Sequence, residues 1–310
     1  MINGRWSIVN SQWSAASAKD YGLWTMDNRP VLIIVLLLAS FQSVTAQRPS
    51  VTQLKQWEAE GDTLLGEQKY EEASKVFSKI INATGLKERA DYNAVYKRAI
   101  CYYYTEGKEN LALTDVDAFI KQFPYVPQSH ILRALIYRIK EDAPKQLEDL
   151  DAAIGFQPSN AGLLKWRAGL LLDSKQYLKA KKDAETAILF EDDPEAESYL
   201  AFAQYNLNHA DSALMAINKA IDLDYTYLSA YLYAGSFCLQ EEEFELALRY
   251  LNLALRVDPD NSTAWFYKGV ALVEMKEVDA GCRCLNKAFY KGNEDAEGYI
   301  KEYCYPSGEN

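Results

Sequence analysis

The stretch EEFELALRYLNLAL, residues 242–255, shows the unit from which the whole chain is built. Its aromatic residue Phe244 is followed three residues later by Ala247, and further apolar residues follow at helical intervals. Such spacing places these side chains on one face of an α-helix. The stretches QKYEEASKVFSKII (68–81) and KQYLKAKKDAETAI (175–188) follow the same template. The sequence therefore predicts that one helical unit recurs along the chain.

The small residue of this pattern gives the length of the repeat. Successive small-residue positions are 39, 34, 34, 33, 34 and 34 residues apart. In chain order they are Ala73, Ala112, Gln146, Ala180, Ala213, Ala247 and Gly281. A nearly constant interval indicates a repeat architecture in which each unit packs on its neighbours. The single longer interval predicts a longer loop near residues 85–93.

A unit of 34 residues built from two helices resembles the tetratricopeptide repeat, and the resemblance covers nearly all of residues 54–293. Three units carry the family's pairing of an aromatic residue and a glycine in the first helix: Trp57 with Gly61, Tyr231 with Gly235, and Trp265 with Gly269. Prolines that cannot continue the second helix follow it at Pro124, Pro158 and Pro259. The departures are Gln146 and Gly281, where the family has alanine. The resemblance implies an all-α, right-handed superhelical solenoid of about seven helix-turn-helix units plus a C-terminal capping helix.

The front of the chain has a different composition. The apolar run in residues 31–47 is shorter than the roughly 20 residues that a membrane-spanning helix needs. It follows Arg29 and ends in Val44-Thr45-Ala46, which suits a signal-peptidase cut. This pattern predicts a signal peptide at residues 26–46, and an uncleaved signal anchor is the alternative.

The predicted signal peptide defines the remaining segments of the chain. Residues 1–25 are interpreted as an upstream extension, so that Met26 rather than Met1 starts the protein. Residues 47–53 form a linker, residues 54–293 the seven repeat units, and residues 294–310 a capping helix and tail.

The net charge of the chain limits the kinds of molecule that it can bind. Removal of residues 1–46 leaves 30 basic and 42 acidic side chains, a net charge of 30 − 42 = −12. A chain this acidic is poorly suited to general binding of nucleic acid or of anionic lipid. The predicted signal peptide and the lack of eukaryotic targeting features in the sequence favour the periplasm of a Gram-negative cell. Secretion or association with the envelope are the alternatives.

Two closely spaced cysteines, Cys282 and Cys284, raise the question of a metal or redox site. The repeat register places Cys282 at a mostly apolar position and Cys284 at a more polar one, so their side chains diverge and a shared metal is disfavoured. Cys282 and Cys304 each lie eleven residues from Asn293. In a helical hairpin that turns at Asn293 they reach similar heights, which predicts a disulfide; free, partly buried thiols are the alternative. Cys284 is then left as a candidate exposed thiol.

The chain carries no motif for catalysis or for binding a cofactor. A Gly-rich phosphate loop, a His-x-x-Glu zinc motif and a nucleophile elbow are all absent from the sequence. The acidic clusters 190–197 and 241–245 fall at a repeat boundary and at a turn, and are expected to be solvated. We therefore expect a non-catalytic protein without cofactor or metal.

The family resemblance implies that first helices line a concave groove in which a protein or peptide binds. By register, the candidate contacts are Glu58, Asp62, Tyr96, Tyr103, Tyr104, Arg138, Lys165, Phe202, Tyr205, Asn206 and Gln240. Lys165 matches one position of the clamp with which some relatives hold a peptide's terminal carboxylate, but Gly169 replaces the asparagine of that clamp. Two hypotheses remain. The protein is an exported scaffold that binds an extended segment in the groove, or a component of an envelope assembly that contacts folded proteins through its convex face or ends.

Overall fold

A computed structural model describes residues 48–305 of the protein. The predicted upstream extension, the signal peptide and the last five residues lie outside the described residues. Within the described range, every helix is too short or too polar to cross a lipid bilayer.

The described chain is a stack of seven helical hairpins, in which no β-strand occurs between residues 48 and 305. The first helices are α1 (Val51–Gly66), α3 (Tyr92–Tyr103), α5 (Pro127–Ile139), α7 (Ala161–Asp173), α9 (Pro194–Asn206), α11 (Leu228–Gln240) and α13 (Ser262–Glu274). The second helices are α2 (Tyr70–Thr84), α4 (Glu109–Gln122), α6 (Ala143–Phe156), α8 (Tyr177–Phe190), α10 (Ala210–Leu223), α12 (Phe244–Val257) and α14 (Val278–Tyr290). The predicted all-α solenoid is confirmed.

The turn inside each hairpin repeats with the same period as the sequence pattern. One residue in each turn has a positive φ, five positions before the small residue of its repeat: Gln68, Gly107, Glu141, Lys175, Asn208, Glu242 and Lys276. Only one of these seven residues is a glycine. The other six are L-residues, which adopt this backbone conformation at a cost in free energy. Since the same strained turn recurs in every hairpin, the packing of the two helices, and not the turn residue, sets its geometry.

The connection between α2 and α3 holds the extra residues of the long interval. It contains one turn of 3₁₀-helix, Arg89–Asp91. The Asp91 carboxylate is buried and accepts hydrogen bonds from Arg48, 2.7 Å away, and from the Glu88 backbone N–H at 2.9 Å. The predicted longer loop is therefore present, and it is an ordered one.

Glycine allows the two helices of a hairpin to approach closely in three repeats. A Cβ atom built on the glycine of the first helix would lie within 2.7 Å of a side chain sixteen residues later, closer than real contacts allow. The pairs are Gly61–Phe77, Gly235–Leu251 and Gly269–Leu285. Gly281, a departure from the family pattern, has the same cause, because its Cβ would lie 2.9 Å from the Gly269 carbonyl oxygen. The last hairpin thus has a glycine on both of its helices.

Gln146, the other departure, is also buried inside a hairpin. Its Nε2 atom is buried and has no hydrogen-bond partner among the described residues. An unpartnered buried donor reduces stability. The structure shows no compensating contact for this substitution.

Arginine side chains link the first four hairpins. Three arginines of first helices bind an aspartate on the second helix of their own hairpin and a side chain of the preceding hairpin. The sets are Arg98 with Asp115 and Ser78, Arg133 with Asp149 and Asp117, and Arg167 with Asp183 and Asp151, all at 2.6–3.1 Å. The own-hairpin aspartates are almost fully buried. We call these three sets the Arg–Asp ladder. The equivalent residues of the next two hairpins are Leu200, Ala216, Ala234 and Tyr250, so the ladder ends after the fourth hairpin.

Contacts between hairpins show which way the stack curves. First helices contact one another directly across hairpins, as α7 does with α9, α9 with α11, and α11 with α13. Among the described residues, successive second helices make few or no such contacts. The first helices therefore form the inner, concave layer of the stack and the second helices form the outer layer.

A short segment closes the C-terminal end of the stack. Gly292 has φ +92°, the predicted left-handed turn, and the Asn293 side chain accepts a hydrogen bond from the Ala296 backbone N–H at 3.2 Å. The segment comprises α15 (Ala296–Tyr299) and one π-helical turn, Ile300–Cys304. Ala296 and Ile300 pack on Val273, Leu285 and Ala288 of the last hairpin. This capping segment covers apolar surface that the next hairpin would otherwise cover.

The structure joins Cys282 to Cys304, with Cα atoms 5.6 Å apart. The disulfide connects α14 to the end of the capping segment. Cys284 lies on a different side of α14 and is buried, so the expectation of an exposed thiol was wrong. The expectation rested on the polar residues at equivalent positions of other repeats. Three of these residues, Asp115, Asp149 and Asp183, are themselves buried in the Arg–Asp ladder.

We predict that Gly269→Ala lowers the free energy of unfolding by about 1–2 kcal/mol, because the added methyl meets the Leu285 side chain and backbone. Gly155→Ala is the matched control, since its Cβ meets nothing within 4 Å on α6. This control should raise stability by about 0.5–1 kcal/mol through helix propensity. Urea unfolding followed by circular dichroism measures both. Equal effects of the two substitutions would contradict the account of the close approach.

We further predict that Cys304→Ser lowers stability by about 3 kcal/mol, the value for a loop of this length. Peptide mapping without reductant should recover the 282–304 cross-link from the wild-type protein. Cys284→Ser should leave that cross-link in place. Recovery of both Cys282 and Cys304 as free thiols from protein kept under oxidising conditions would rule out the bridge.

Candidate functional site

Half-buried aromatic side chains on the concave layer form a contiguous cluster around the buried ring of Phe237. Phe202 on α9 lies 5.4 Å from Tyr233 and 6.3 Å from Phe237 on α11, centroid to centroid. Tyr205 stacks on Phe237 at 4.2 Å with the ring planes 9° apart. These contacts follow from the fold, because α9 and α11 are successive first helices and touch each other. Together with Tyr199 of α9, we call these rings the aromatic wall.

A pocket opens beside the aromatic wall. Its volume is about 390 Å³, and its lining comes from α7, α8, α9, α11 and the turn before α8. The lining residues are Gly169, Leu172, Asp173, Lys175, Tyr177, Tyr199, Phe202 and Tyr233. A Cβ on Gly169 would lie 3.4 Å from the Tyr199 hydroxyl oxygen, so the glycine keeps this part of the pocket open. The pocket is large enough for one amino-acid side chain.

Hydrogen bonds hold the tyrosines of this region in place. The Tyr199 hydroxyl donates to Glu195 at 2.9 Å, and the Tyr205 hydroxyl donates to Glu241 at 3.0 Å. Burial raises the pKa of Tyr205 to about 12, and the hydrogen bond to the Glu241 carboxylate raises it in the same direction. Burial likewise raises the pKa of Tyr227 to about 12. These phenols are therefore neutral hydrogen-bond donors at neutral pH.

Lysines on the concave layer are held by two carboxylates each. The Lys165 Nζ lies 2.7 Å from Asp193 and 2.9 Å from Glu195. The Lys97 Nζ lies 2.7 Å from Asp62 and 3.1 Å from Glu58. Burial lowers the pKa of both lysines, but hydrogen bonds to these carboxylates outweigh it and leave the pKa raised. Neither lysine has a free charge for a partner's carboxylate, so a carboxylate clamp is unsupported by geometry as well as by sequence.

Three of the predicted contacts, Lys165, Phe202 and Tyr205, come together in this region. Lys165 reaches it through Glu195, which binds both Lys165 and Tyr199. Asn206 lies beside them but donates to the Phe202 backbone carbonyl at 2.8 Å. Gln240, at the end of α11, is exposed.

The remaining predicted contacts lie towards the N-terminal end. Glu58 and Asp62 are the carboxylates that hold Lys97. Tyr103 packs edge-on against Tyr104, which stacks on Tyr70 at 4.7 Å and is 57% exposed. Arg138 lies over the Trp166 ring, 5.4 Å from its centroid. That these residues contact a partner stays a prediction.

Tyr96 differs from the others because it serves the internal packing. Its ring is half-buried, 4.8 Å from that of Phe119, and its hydroxyl donates to the Gln128 backbone carbonyl at 3.3 Å. A substitution of Tyr96 would disturb the second hairpin as well as any contact.

Sequence reasoning did not select Tyr199, Tyr233 or Asp173. The two tyrosines and Tyr267 are spaced by 34 residues, so the repeat register contained the signal. The acidic cluster 190–197 was expected to be solvated, and this was wrong for part of it. Asp193 caps α9 and binds Lys165, while Glu197 is buried and forms an ion pair with Lys219.

Comparison with known proteins agrees with the fold. A sequence model of the tetratricopeptide repeat family matches residues 239–281. The other described hairpins share the helix order of this matched segment. A repeat protein of this family from Parabacteroides merdae has a TM-score of 0.61 and 13% identity, over 81% of this chain and 98% of the other. The C-terminal part of one from Cytophaga hutchinsonii has a TM-score of 0.60 and 18% identity, over 78% and 99%. At this identity the likeness concerns the fold alone.

A curated protein also matches part of this chain. Bacteriophage adsorption protein A of Escherichia coli (strain K12) is 28% identical over 122 residues. The match covers 37% of this chain and 12% of that protein, so the chain spans only a small part of its relative's length.

We predict that Tyr205→Phe changes how stability depends on pH. At pH 7 the loss of the hydrogen bond to Glu241 should cost about 0.5–1.5 kcal/mol. The raised pKa means that the wild-type protein keeps the contribution of Tyr205 below the unfolded value of about 10. It loses that contribution as pH rises to about 12, because only the unfolded chain ionises easily. The variant should therefore lose less stability than wild type over this interval. Thermal unfolding between pH 9 and 12 tests this, and parallel curves would contradict it.

Proposed function

We propose that the protein is a non-catalytic scaffold that is exported and binds an extended segment of a partner protein in its concave groove. The observation that carries the proposal is the aromatic wall with its adjoining pocket on the concave layer. Rings such as Tyr199, Phe202 and Tyr233 supply large apolar faces with polar tips at low entropic cost, which is typical of protein-binding surfaces. Tetratricopeptide repeats in general support contacts between proteins, and this agrees with the proposal.

The groove suits an extended segment better than a folded domain. The pocket accepts one side chain, and the wall continues along two successive first helices. An extended chain presents side chains at regular intervals, so one residue can fill the pocket while neighbours lie on the wall. This arrangement needs no conformational change of the stack.

An alternative places the contact surface on the outer layer. Second helices carry exposed apolar side chains, including Leu178, Leu189 and Met215, whose exposed fractions are 72%, 81% and 74%. Such residues favour contact with folded partners through the convex face, as in an envelope assembly.

Paired variants distinguish the two surfaces. Phe202→Ala with Tyr233→Ala removes part of the aromatic wall, and Leu189→Ser with Met215→Ser removes apolar groups from the outer layer. Each variant, checked for folding by thermal melting, is used to capture proteins from an envelope extract. Loss of two ring contacts, each of about 1–3 kcal/mol, predicts at least a tenfold lower yield of specific partner with the wall variant only. A loss with the outer-layer variant alone would support the alternative and contradict binding in the groove.

Export to the periplasm is part of the same proposal. It rests on the sequence pattern of residues 26–46. Fractionation of cells that express the full chain should recover the protein, shortened at its N-terminus, in the periplasmic fraction. Recovery of full-length protein in the cytosol would contradict this part of the proposal.

A further inference from the structure

The groove around the aromatic wall carries an excess of negative charge. Four carboxylates lie on or beside it: Asp173, Asp193, Glu195 and Glu241. The cations in the same region are Lys165 and Lys175, which gives a local balance of 2 − 4 = −2. Lys165 is already held by Asp193 and Glu195. The pocket lining carries one acid and one base, Asp173 and Lys175, so the excess comes from the other three carboxylates, of which Lys165 offsets one.

Asp173 is the carboxylate best placed to receive a ligand. It is exposed at the C-terminal end of α7 and lines the pocket. Within residues 48–305, no ion pair involves it. Its presence at a helix C-terminus adds to the negative potential there. Lys175, on the same rim, is exposed two residues later and opposes this potential in part.

The pKa values of the pocket tyrosines reflect this negative potential. Burial raises the pKa of Tyr233, and the nearby charges of Asp173 and Glu195 raise it further. Burial, followed by Glu195, also raises the pKa of Tyr199. Burial disfavours a charge of either sign in the pocket, whereas the two carboxylates disfavour only a negative one.

Ring faces and carboxylates attract the same kind of group. A Lys ammonium or an Arg guanidinium is drawn to the faces of tyrosine and phenylalanine rings and to carboxylates. Four rings line the pocket, those of Tyr177, Tyr199, Phe202 and Tyr233, and Asp173 stands at its rim. A carboxylate of a partner would meet no free cation at Lys165, and only the exposed Lys175 at the rim.

We propose that the pocket binds the side chain of a lysine or arginine in an extended basic segment of the partner, with the cation between the ring faces and Asp173. This inference rests on the proposed binding of an extended segment in the groove, and it names the chemistry of that segment. Because the groove is acidic, a basic protein segment complements its charge.

A random peptide library displayed on phage, panned against the full chain, supplies the probes. We expect the enriched peptides to contain lysine or arginine next to apolar residues. A synthetic copy of one enriched peptide, carrying a fluorophore, then gives dissociation constants by fluorescence anisotropy. Replacing its basic residue by norleucine should weaken binding about tenfold, and added salt should weaken the binding of the original peptide.

Two neighbouring substitutions should act in opposite directions. Asp173→Asn should weaken binding of the basic peptide about fivefold, and Lys175→Ala should strengthen it about twofold to threefold, because one removes an attractive charge and the other a repulsive one. Tyr233→Ala should weaken it about tenfold. Asp279→Asn, an exposed acid on α14, is the matched control and should leave binding unchanged.

The outcomes separate this inference from the proposed function. Enrichment of acidic or uncharged peptides whose binding still depends on Phe202 and Tyr233 would overturn the inference and leave binding in the groove intact. Equal effects of Asp173→Asn and Asp279→Asn would overturn it as well. Failure to enrich any peptide, or binding insensitive to Phe202→Ala and Tyr233→Ala, would overturn both proposals.

Discussion

The close approach of the two helices in each hairpin is the constraint on which the rest of this structure depends. Where the first helix carries glycine, a side chain sixteen residues later takes the space that a Cβ would occupy. In the three hairpins that carry this glycine, the contact fixes how the two helices pair, and similar hairpins stack in a similar way. The first helices consequently become direct neighbours on the inner layer, and residues such as Phe202 and Tyr233, one repeat apart, meet there. The groove is therefore shaped by packing residues inside the hairpins, and these residues do not themselves line the pocket.

The two ends of the groove have different chemistry although the fold repeats. Near the N-terminus, Lys97 is neutralised by Glu58 and Asp62, and the nearby rings of Tyr103 and Tyr104 stack among themselves. Further along, rings line an open pocket, and the carboxylate of Asp173 has no partner cation in the described chain. A repeat architecture thus leaves the inward side chains free to vary from unit to unit, because the packing of each hairpin depends on other positions.

Periodicity made the fold predictable from sequence, whereas burial of polar groups was not. The interval of 34 residues, the left-handed turn at Gly292 and the longer loop after α2 all follow from local pattern. The burial of Glu197 and Cys284 was not predicted, because the residues that surround a buried side chain lie on other helices. For Glu197 the ion-pair partner is Lys219. The same limit applies to the candidate site. Register alone selected Phe202 and Tyr205, but the importance of Asp173 depends on its place at the pocket rim without an ion-pair partner in the described chain, which only three-dimensional placement shows.

The Arg–Asp ladder divides the stack into two zones with different reasons to stay folded. Each rung joins a hairpin to the preceding one through an arginine that has two acceptors, and the last rung is at Arg167. From α9 onward, neighbouring hairpins pack through apolar side chains and through tyrosine hydrogen bonds such as those of Tyr205 and Tyr250, and the far end is fastened to the capping segment by the disulfide. In a linear stack, opening proceeds by zones and begins where neighbours hold each other least. Amide hydrogens between α9 and α13 would then exchange together as one unit, separate from those of the first four hairpins. The aromatic wall lies in this second zone. A ligand bound in the groove would therefore slow the exchange of amide hydrogens across three hairpins together.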